Sequence, residues 1–202
     1  MFVTGIVLAA GSSRRLGRPK QLLAYRGGTL LGATLLVARR CGFHQLVVTL
    51  GGSGGDVRAA VDLAGADVVD NPEFTTGCGS SIATALDVVD DRAQGLVVML
   101  GDQPGVSPET VRRLAQEASG SALGICRYAD GLGHPFWVGR AVFDDVRLLH
   151  GDKALWKLME SGRHAVTEVP ADGPIPLDVD TWEDYQLLLA RDAGGLAMGA
   201  SS

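Results

Sequence analysis

The sequence predicts an α/β protein with a single doubly wound, mostly parallel sheet flanked by helices. Three observations carry this expectation. Short apolar runs alternate with helical patterns along most of the chain, as when strands and helices take turns. The apolar runs are continuous rather than alternating with polar residues, which suits strands covered on both faces. The connections are short, and many of the 28 glycines stand next to the ends of the apolar runs, where close approach of backbone to a ligand uses them.

In chain order, strands are expected over residues 5–9, 46–50, 66–69, 95–100 and 122–126. Helices are expected over about 29–41, 55–63, 80–89 and 108–118. Pro108 suits a first helical turn, and Ser107 before it reads as the N-cap. Beyond Tyr128 the pattern is less regular. Residues 130–134 read as a glycine-rich turn, and 135–138 as an edge strand whose Pro135 needs no ladder hydrogen bond. Helices over 140–149 and 153–161, a strand over 165–169 and a last helix over 182–190 complete the expectation. Residues 1–192 read as one domain and 193–202, rich in small residues, as a flexible tail.

The bulk properties agree with one globular domain. The chain has 202 residues, 46% of them hydrophobic and 20% charged, with a formal net charge of -5. That balance excludes broad nucleic-acid binding and makes any anion site local. No apolar stretch is long enough for a membrane span. MFVTGIVLAAG lacks a basic leader and reads as a strand rather than a signal peptide. Cys41, Cys78 and Cys126 are widely separated, a spacing that suits free thiols and a cytoplasmic protein rather than a disulfide framework or zinc site.

Chemistry concentrates at the ends of the apolar runs. VLAAGSSRRLGRPKQLL, residues 7–23, passes from a strand into a Gly/Ser loop and then places Arg14, Arg15, Arg18 and Lys20 close together. Flexible backbone beside a cationic cluster is suited to a polyphosphate. The glycine spacing is neither GxGxxG nor a Walker A motif; an ordinary loop with a solvated basic face is the competing reading. Asp102 in GLVVMLGDQPG stands just past a buried strand, where a carboxylate can bind a hard divalent cation together with phosphate or simply cap a turn.

Asp178 and Asp180 in PLDVDTWEDY share one face if the segment is extended. Thr181 and Asp184 then form a capping box, leaving Asp180 to supply a second carboxylate. Two carboxylates plus substrate phosphates are a usual magnesium arrangement, so Mg2+ is the expected cofactor. GCGSS, residues 77–81, offers N–H groups and the hydroxyls of Ser80 and Ser81 as a polar cradle; Ser80 reads equally as an N-cap. Cys78 has no histidine close in sequence and is left without a catalytic role. His134 in GLGHP is a candidate substrate contact, whereas His44, His150 and His164 show no metal-like spacing.

Across residues 5–190 these motifs resemble the nucleotidyltransferase family that includes the molybdenum cofactor cytidylyltransferases. LAAGxSxRxGxxKxLL is matched by Leu8, Ala9, Ala10, Gly11, Ser13, Arg15, Gly17, Lys20, Leu22 and Leu23. NPEFTTGCGSSIATAL, GDQP, GHP and DVDTWEDY follow in order. The resemblance implies a Rossmann-like nucleotidyltransferase fold in which Leu8, Ala9, Ala10, Gly11, Ser80 and Ser81 bind the nucleotide. It implies that Arg15 and Lys20 contact phosphate, Asp102 and Asp180 hold the metal, and His134 faces the acceptor. The implied reaction is transfer from an NTP, foremost CTP, to the phosphate of molybdopterin or molybdenum cofactor, releasing pyrophosphate. The implied partners are the NTP, a phosphorylated pterin and, transiently, a molybdenum hydroxylase, with no nucleic acid and no membrane. One segment departs: GDKALW at 151–156 replaces a GDxGAR-like run, which bears on the acceptor. Guanylyl or other nucleotidyl transfer to a molybdenum cofactor or phosphosugar is the alternative, and a noncatalytic cofactor-handling partner of a molybdenum enzyme is another.

Overall fold

Strand β1 (Val3–Ala9) is an internal strand of the sheet, which explains why its residues are apolar without interruption. It is hydrogen-bonded in parallel to β4 (Gln45–Leu50) on one side and β6 (Gly95–Leu100) on the other. Successive side chains therefore enter opposite covered faces. Val7 packs on the side of helices α1 (Leu30–Arg39) and α4 (Pro108–Glu117), with Leu35, Val111 and Leu114. Ile6 packs on the side of α3 (Cys78–Leu86), with Ile82, Ala85 and Leu86.

The computed structural model describes residues 1–199, with side chains through Ala193. Two short strands, β2 (Ala24–Tyr25) and β3 (Gly28–Thr29), pair as a hairpin apart from the main sheet. Helix α2 (Gly54–Ala60) leads to the outer strand β5 (Asp67–Asp70). With β7 (Leu123–Tyr128), β8 (Gly131–Gly139) and β9 (Val166–Pro170), the seven-stranded order is β5-β4-β1-β6-β8-β7-β9. The sheet is mostly parallel, with β8 antiparallel to both neighbours. Helices α5 (Phe143–Arg147) and α6 (Ala154–Glu160) cover the α3 face, contributing Val146, Leu155 and Leu158. Helix α7 (Trp182–Gly199) closes a third cluster, where Tyr185 and Leu188 meet Leu23, Tyr25 and Leu30.

The N-cap expected at Ser107 is present and Thr29 caps α1, whereas the Ser53 hydroxyl before α2 makes no cap. Thr29 accepts from the Gly32 N–H, and Ser107 from the Thr110 N–H with Pro108 at the first helical position. Thr181 and Asp184 bond reciprocally, the Asp184 N–H to Thr181 Oγ1 at 3.2 Å and the Thr181 N–H to Asp184 Oδ2 at 2.8 Å. This is a capping box with aspartate in place of glutamate.

Four expectations differ from the structure. Residues 131–139 form one internal strand, β8, rather than a turn followed by an edge strand. Pro135 is accommodated because the β7 register jumps from Ile125↔Phe136 to Cys126↔Gly133, so the ladder skips it at an irregularity. Helix α3 begins at Cys78 with Gly77 as its N-cap, so Ser80 is an interior residue and not the cap. The run 140–149 divides into a 3-10 turn at Arg140–Val142 and the short α5. The last helix continues past residue 190 to Gly199, and the end of the expected tail, residues 200–202, lies outside the described residues.

Candidate active site

The carboxyl ends of β1 and β6 sit side by side, and the loops that leave them line one cleft of about 650 Å³. Gly101 is tied to β1 by its N–H on the Leu8 carbonyl at 2.9 Å. Thr34 Oγ1 from α1 bonds the Gly101 carbonyl at 3.2 Å. These bonds fix the turn that presents Asp102. Gln103 Nε2 then donates to the Pro176 carbonyl at 2.9 Å, which draws the 176–180 segment against the same strand end.

The loop after β1 folds back on itself. Ser13 takes a left-handed conformation (φ 51°), and its Oγ accepts the Lys20 N–H at 2.9 Å. The Lys20 side chain is thereby directed at the acidic wall. Its ammonium is hydrogen-bonded to Asp102 and, at 2.8 Å, to Asp180 Oδ1. Arg15 Nη2 reaches Asp180 Oδ2 at 2.7 Å. The side chains of Lys20 and Asp102 are 15% and 12% exposed, against 66% for Arg15, so the inner pair is the desolvated one.

Charge balance shows in the acidities. Burial opposes the charge on Lys20, but Asp102 and Asp180 outweigh it and raise its pKa. Burial also opposes ionisation of Asp180, and Lys20 with Arg15 reverses that and lowers its pKa. Asp178 is pushed up to about 6, first by burial and next by the Asp102 charge. The acidic wall thus holds more carboxylate than its two cations neutralise. Among the described residues no group of three or more His, Cys, Asp or Glu is arranged to hold a metal ion. Two converging carboxylates already facing a cation fit a hard divalent ion whose other positions are filled by phosphate and water.

The opposite wall is built where α3 starts. Gly77 has φ +113°, and a Cβ there would come within 2.3 Å of the Gly151 carbonyl carbon, so the 77–81 and 151–156 loops meet through backbone. The Gly79 N–H bonds the Gly151 carbonyl at 3.2 Å. Asn71, 2% exposed, donates to both Ser80 Oγ and Ser81 Oγ at 2.9 Å. Ser81 lines the cleft, whereas Ser80 does not; its hydroxyl is turned to the Glu73 and Gly77 carbonyls. His134 also lines the cleft, its ring 3.9 Å from that of Phe136, and Phe136 meets Trp156 edge-on at 5.2 Å. Burial pushes the His134 imidazole down to about 3, so it is neutral at physiological pH.

Of the residues singled out in the sequence, Leu8, Ala9, Ala10, Gly11, Arg15, Lys20, Ser81, Asp102, His134 and Asp180 border this one cleft, as does Asp178. Ser80 does not, nor does Arg18 of the cationic cluster, which lies over the Trp182 ring. Sequence reading missed Gln21, Asn71 and Lys153. Lys153 borders the cleft in a left-handed conformation (φ 57°). Asn71 was legible in principle, as an asparagine directly after a strand. Cys78 borders the cleft as a free thiol. A larger hollow of about 900 Å³ lies beyond Pro174–Leu177; there Arg26 is neutralised by Asp192, and it has no comparable convergence of strand ends.

A family model described as the MobA-like NTP transferase domain matches residues 5–167. The crystal structure of Rv0371c from Mycobacterium tuberculosis H37Rv superposes with a TM-score of 0.89 at 56% identity, covering 94% of this chain and 98% of that one. A manganese complex of Rv0371C gives a TM-score of 0.86 at 54% identity, covering 94% and 99% of the two chains. A nucleotidyl transferase from Methanothermobacter thermautotroptrophicus gives 0.78 at 26% identity, covering 93% and 95%. Nicotine blue oxidoreductase of Paenarthrobacter nicotinovorans is 42% identical over 116 residues, 55% of this chain. The match spans only about half of that relative, 55% of its length.

Proposed function

The chain belongs to the MobA-like NTP transferase family, and from that premise we propose that it transfers a nucleotidyl group, foremost from CTP, to the phosphate of molybdopterin or molybdenum cofactor. The observation that carries the reading is the meeting of Arg15, Lys20, Asp102 and Asp180 at the end of one cleft whose far wall is His134, Phe136 and Trp156. One end suits a polyphosphate and its counterion; the other suits a flat, apolar-faced acceptor.

In this reading an acceptor phosphate oxygen attacks the α-phosphorus, the bond to the β-phosphate oxygen breaks, and pyrophosphate leaves. A phosphate monoester is already a nucleophile near neutral pH, so alignment and charge stabilisation are what the protein must supply. Lys20 has three N–H donors, of which two are used by Asp102 and Asp180, leaving a third for a phosphate oxygen. Arg15, two-thirds exposed, is able to leave Asp180 for the departing pyrophosphate. Asp102 and Asp180 are the residues that would hold magnesium, which when bound would supply positive charge against the phosphates. The manganese complex of Rv0371C supports a divalent ion in this family. Neutral His134 orients the acceptor through a ring nitrogen without adding charge.

The second reading, transfer of another nucleotide or to another phosphorylated acceptor, is favoured by one feature. Trp156 of GDKALW lines the cleft where the resemblance expects an arginine, so acceptor selection on this wall leans on ring packing. The test is incubation of the protein with each of CTP, GTP, ATP and UTP, magnesium and molybdopterin, followed by mass analysis. A molybdopterin cytosine dinucleotide supports the first reading. Product with a different NTP supports the second, and no dinucleotide with any NTP removes the first.

A further inference from the structure

Gln21 follows Lys20 directly, is 4% exposed, and borders the cleft. While Lys20 turns to the acidic wall, Gln21 turns under the loop that leaves β1. Its Nε2 donates to the Ala9 carbonyl at 2.7 Å and the Gly11 carbonyl at 3.1 Å. Both amide hydrogens are used. The orientation of the amide follows, because exchanging its nitrogen and oxygen would set an acceptor against two acceptors.

Oε1 therefore has a defined place, and among the described residues it has no hydrogen-bond donor. A buried acceptor without a donor is a cost that methionine or leucine would avoid. Thr49 Oγ1 and Gln103 Oε1 share that condition, but neither residue borders the cleft. Gln21 is the one of the three that borders the cleft.

We propose that Gln21 determines base specificity: Nε2 braces the 9–11 loop, and Oε1 accepts a hydrogen bond from the exocyclic amino group of the nucleobase. The inference rests on the nucleotidyl-transfer reading and adds a discriminating residue to it. Cytosine and guanine carry such an amino group, whereas uracil presents a carbonyl in its place and hypoxanthine lacks the guanine 2-amino group. A site built to pair a buried polar atom rejects a ligand that leaves it unpaired more strongly than an apolar pocket can.

Calorimetric binding of CTP against UTP, and of GTP against ITP, each with magnesium, tests this on the full chain and on Gln21→Met, which keeps the length and apolar volume. The wild type is expected to bind the amino-bearing member of its preferred pair at least tenfold more tightly. Gln21→Met removes the acceptor and the brace together, so it is expected to weaken both members but the amino-bearing one further, losing most of that preference. Gln21→Glu keeps an acceptor but loses the brace, and is expected to weaken both members while retaining the preference. Thermal unfolding of each variant checks that the fold persists. Equal weakening of both nucleotides in Gln21→Met, or no preference in the wild type, overturns the inference and leaves Gln21 a loop brace. Failure of the wild type to bind any NTP instead overturns the nucleotidyl-transfer reading, and this inference with it.

Discussion

Lys20 donates to Asp180 across 2.8 Å while the same ammonium holds Asp102. One buried cation thus joins the end of β6 to the segment that precedes α7, and it occupies the place where two carboxylates face each other. The arrangement makes the loop after β1, the acidic wall and any divalent ion mutually dependent.

Replacing Lys20 by alanine is expected to impair turnover with every NTP by about 10²–10³, the usual cost of removing one well-placed electrostatic contact. It is also expected to tighten Mn2+ binding in the absence of nucleotide, because Asp102 and Asp180 lose their resident counterion. Calorimetric titration with Mn2+ checks this; weaker metal binding in the variant would show that Lys20 and the ion do not share those oxygens.

Asp102→Asn keeps the size and hydrogen-bonding capacity of the side chain but removes its negative charge. Turnover is expected to fall by about 10²–10³, with thermal stability little changed. Asp180→Asn is expected to show a loss as well. Near-normal rates for Asp102→Asn at limiting magnesium would contradict the metal role, and a negligible loss for Asp180→Asn would transfer the second ligand to Asp178.

Asp178 has a stability signature of its own. Its folded pKa is about 6, raised by burial and by Asp102 above the ordinary value of 3.8. Between those values the folded state binds more protons than the unfolded one, so the contribution of this group is fully present below about pH 4 and lost as pH rises through 6. Asp178→Asn is expected to raise the melting temperature at pH 7 relative to the wild type, with no gain at pH 4. Melting curves at the two pH values measure it, and a gain of the same size at both would refute the assignment.

His134→Ala is expected to raise the acceptor KM about 3–10-fold, the range for losing one hydrogen bond, with little change in nucleotide binding measured alone. Burial holds the folded imidazole near pKa 3, below its ordinary 6.5. The unfolded state therefore takes up the proton first, and the stability due to neutral His134 is lost as pH falls from about 6.5 towards 3. The variant should lose this part of the acid sensitivity. Weaker nucleotide binding with an unchanged acceptor dependence would place His134 on the wrong side of the transfer point.

How much of this was legible in the sequence follows from which signals are local. The strand at 95–100 and the helix starting at Pro108 were readable because continuous apolarity and an N-cap are properties of neighbouring residues. Arg15, Lys20, Asp102 and Asp180 stood out because each lies in a motif within a loop that leaves or enters such an element. The place of Pro135 inside β8 was not, since it depends on a register jump against β7 that no local pattern encodes. Nor was the Ser80 hydroxyl, which is turned from the cleft by bonds involving Asn71, Glu73 and Gly77. Gln21 was missed because a glutamine in an apolar run signals nothing until the carbonyls it binds are brought over it.

The central claim is that this cleft transfers the α-phosphoryl-bearing portion of an NTP to a phosphorylated acceptor. The most direct measurement uses CTP labelled at the α-phosphorus in one reaction and at the γ-phosphorus in another, each with magnesium and molybdopterin. The account predicts α-label in the acceptor product and γ-label in pyrophosphate, both lost in Asp102→Asn. Transfer of the γ-label to the acceptor, or release of γ-label as phosphate with no α-label on the acceptor, would contradict it.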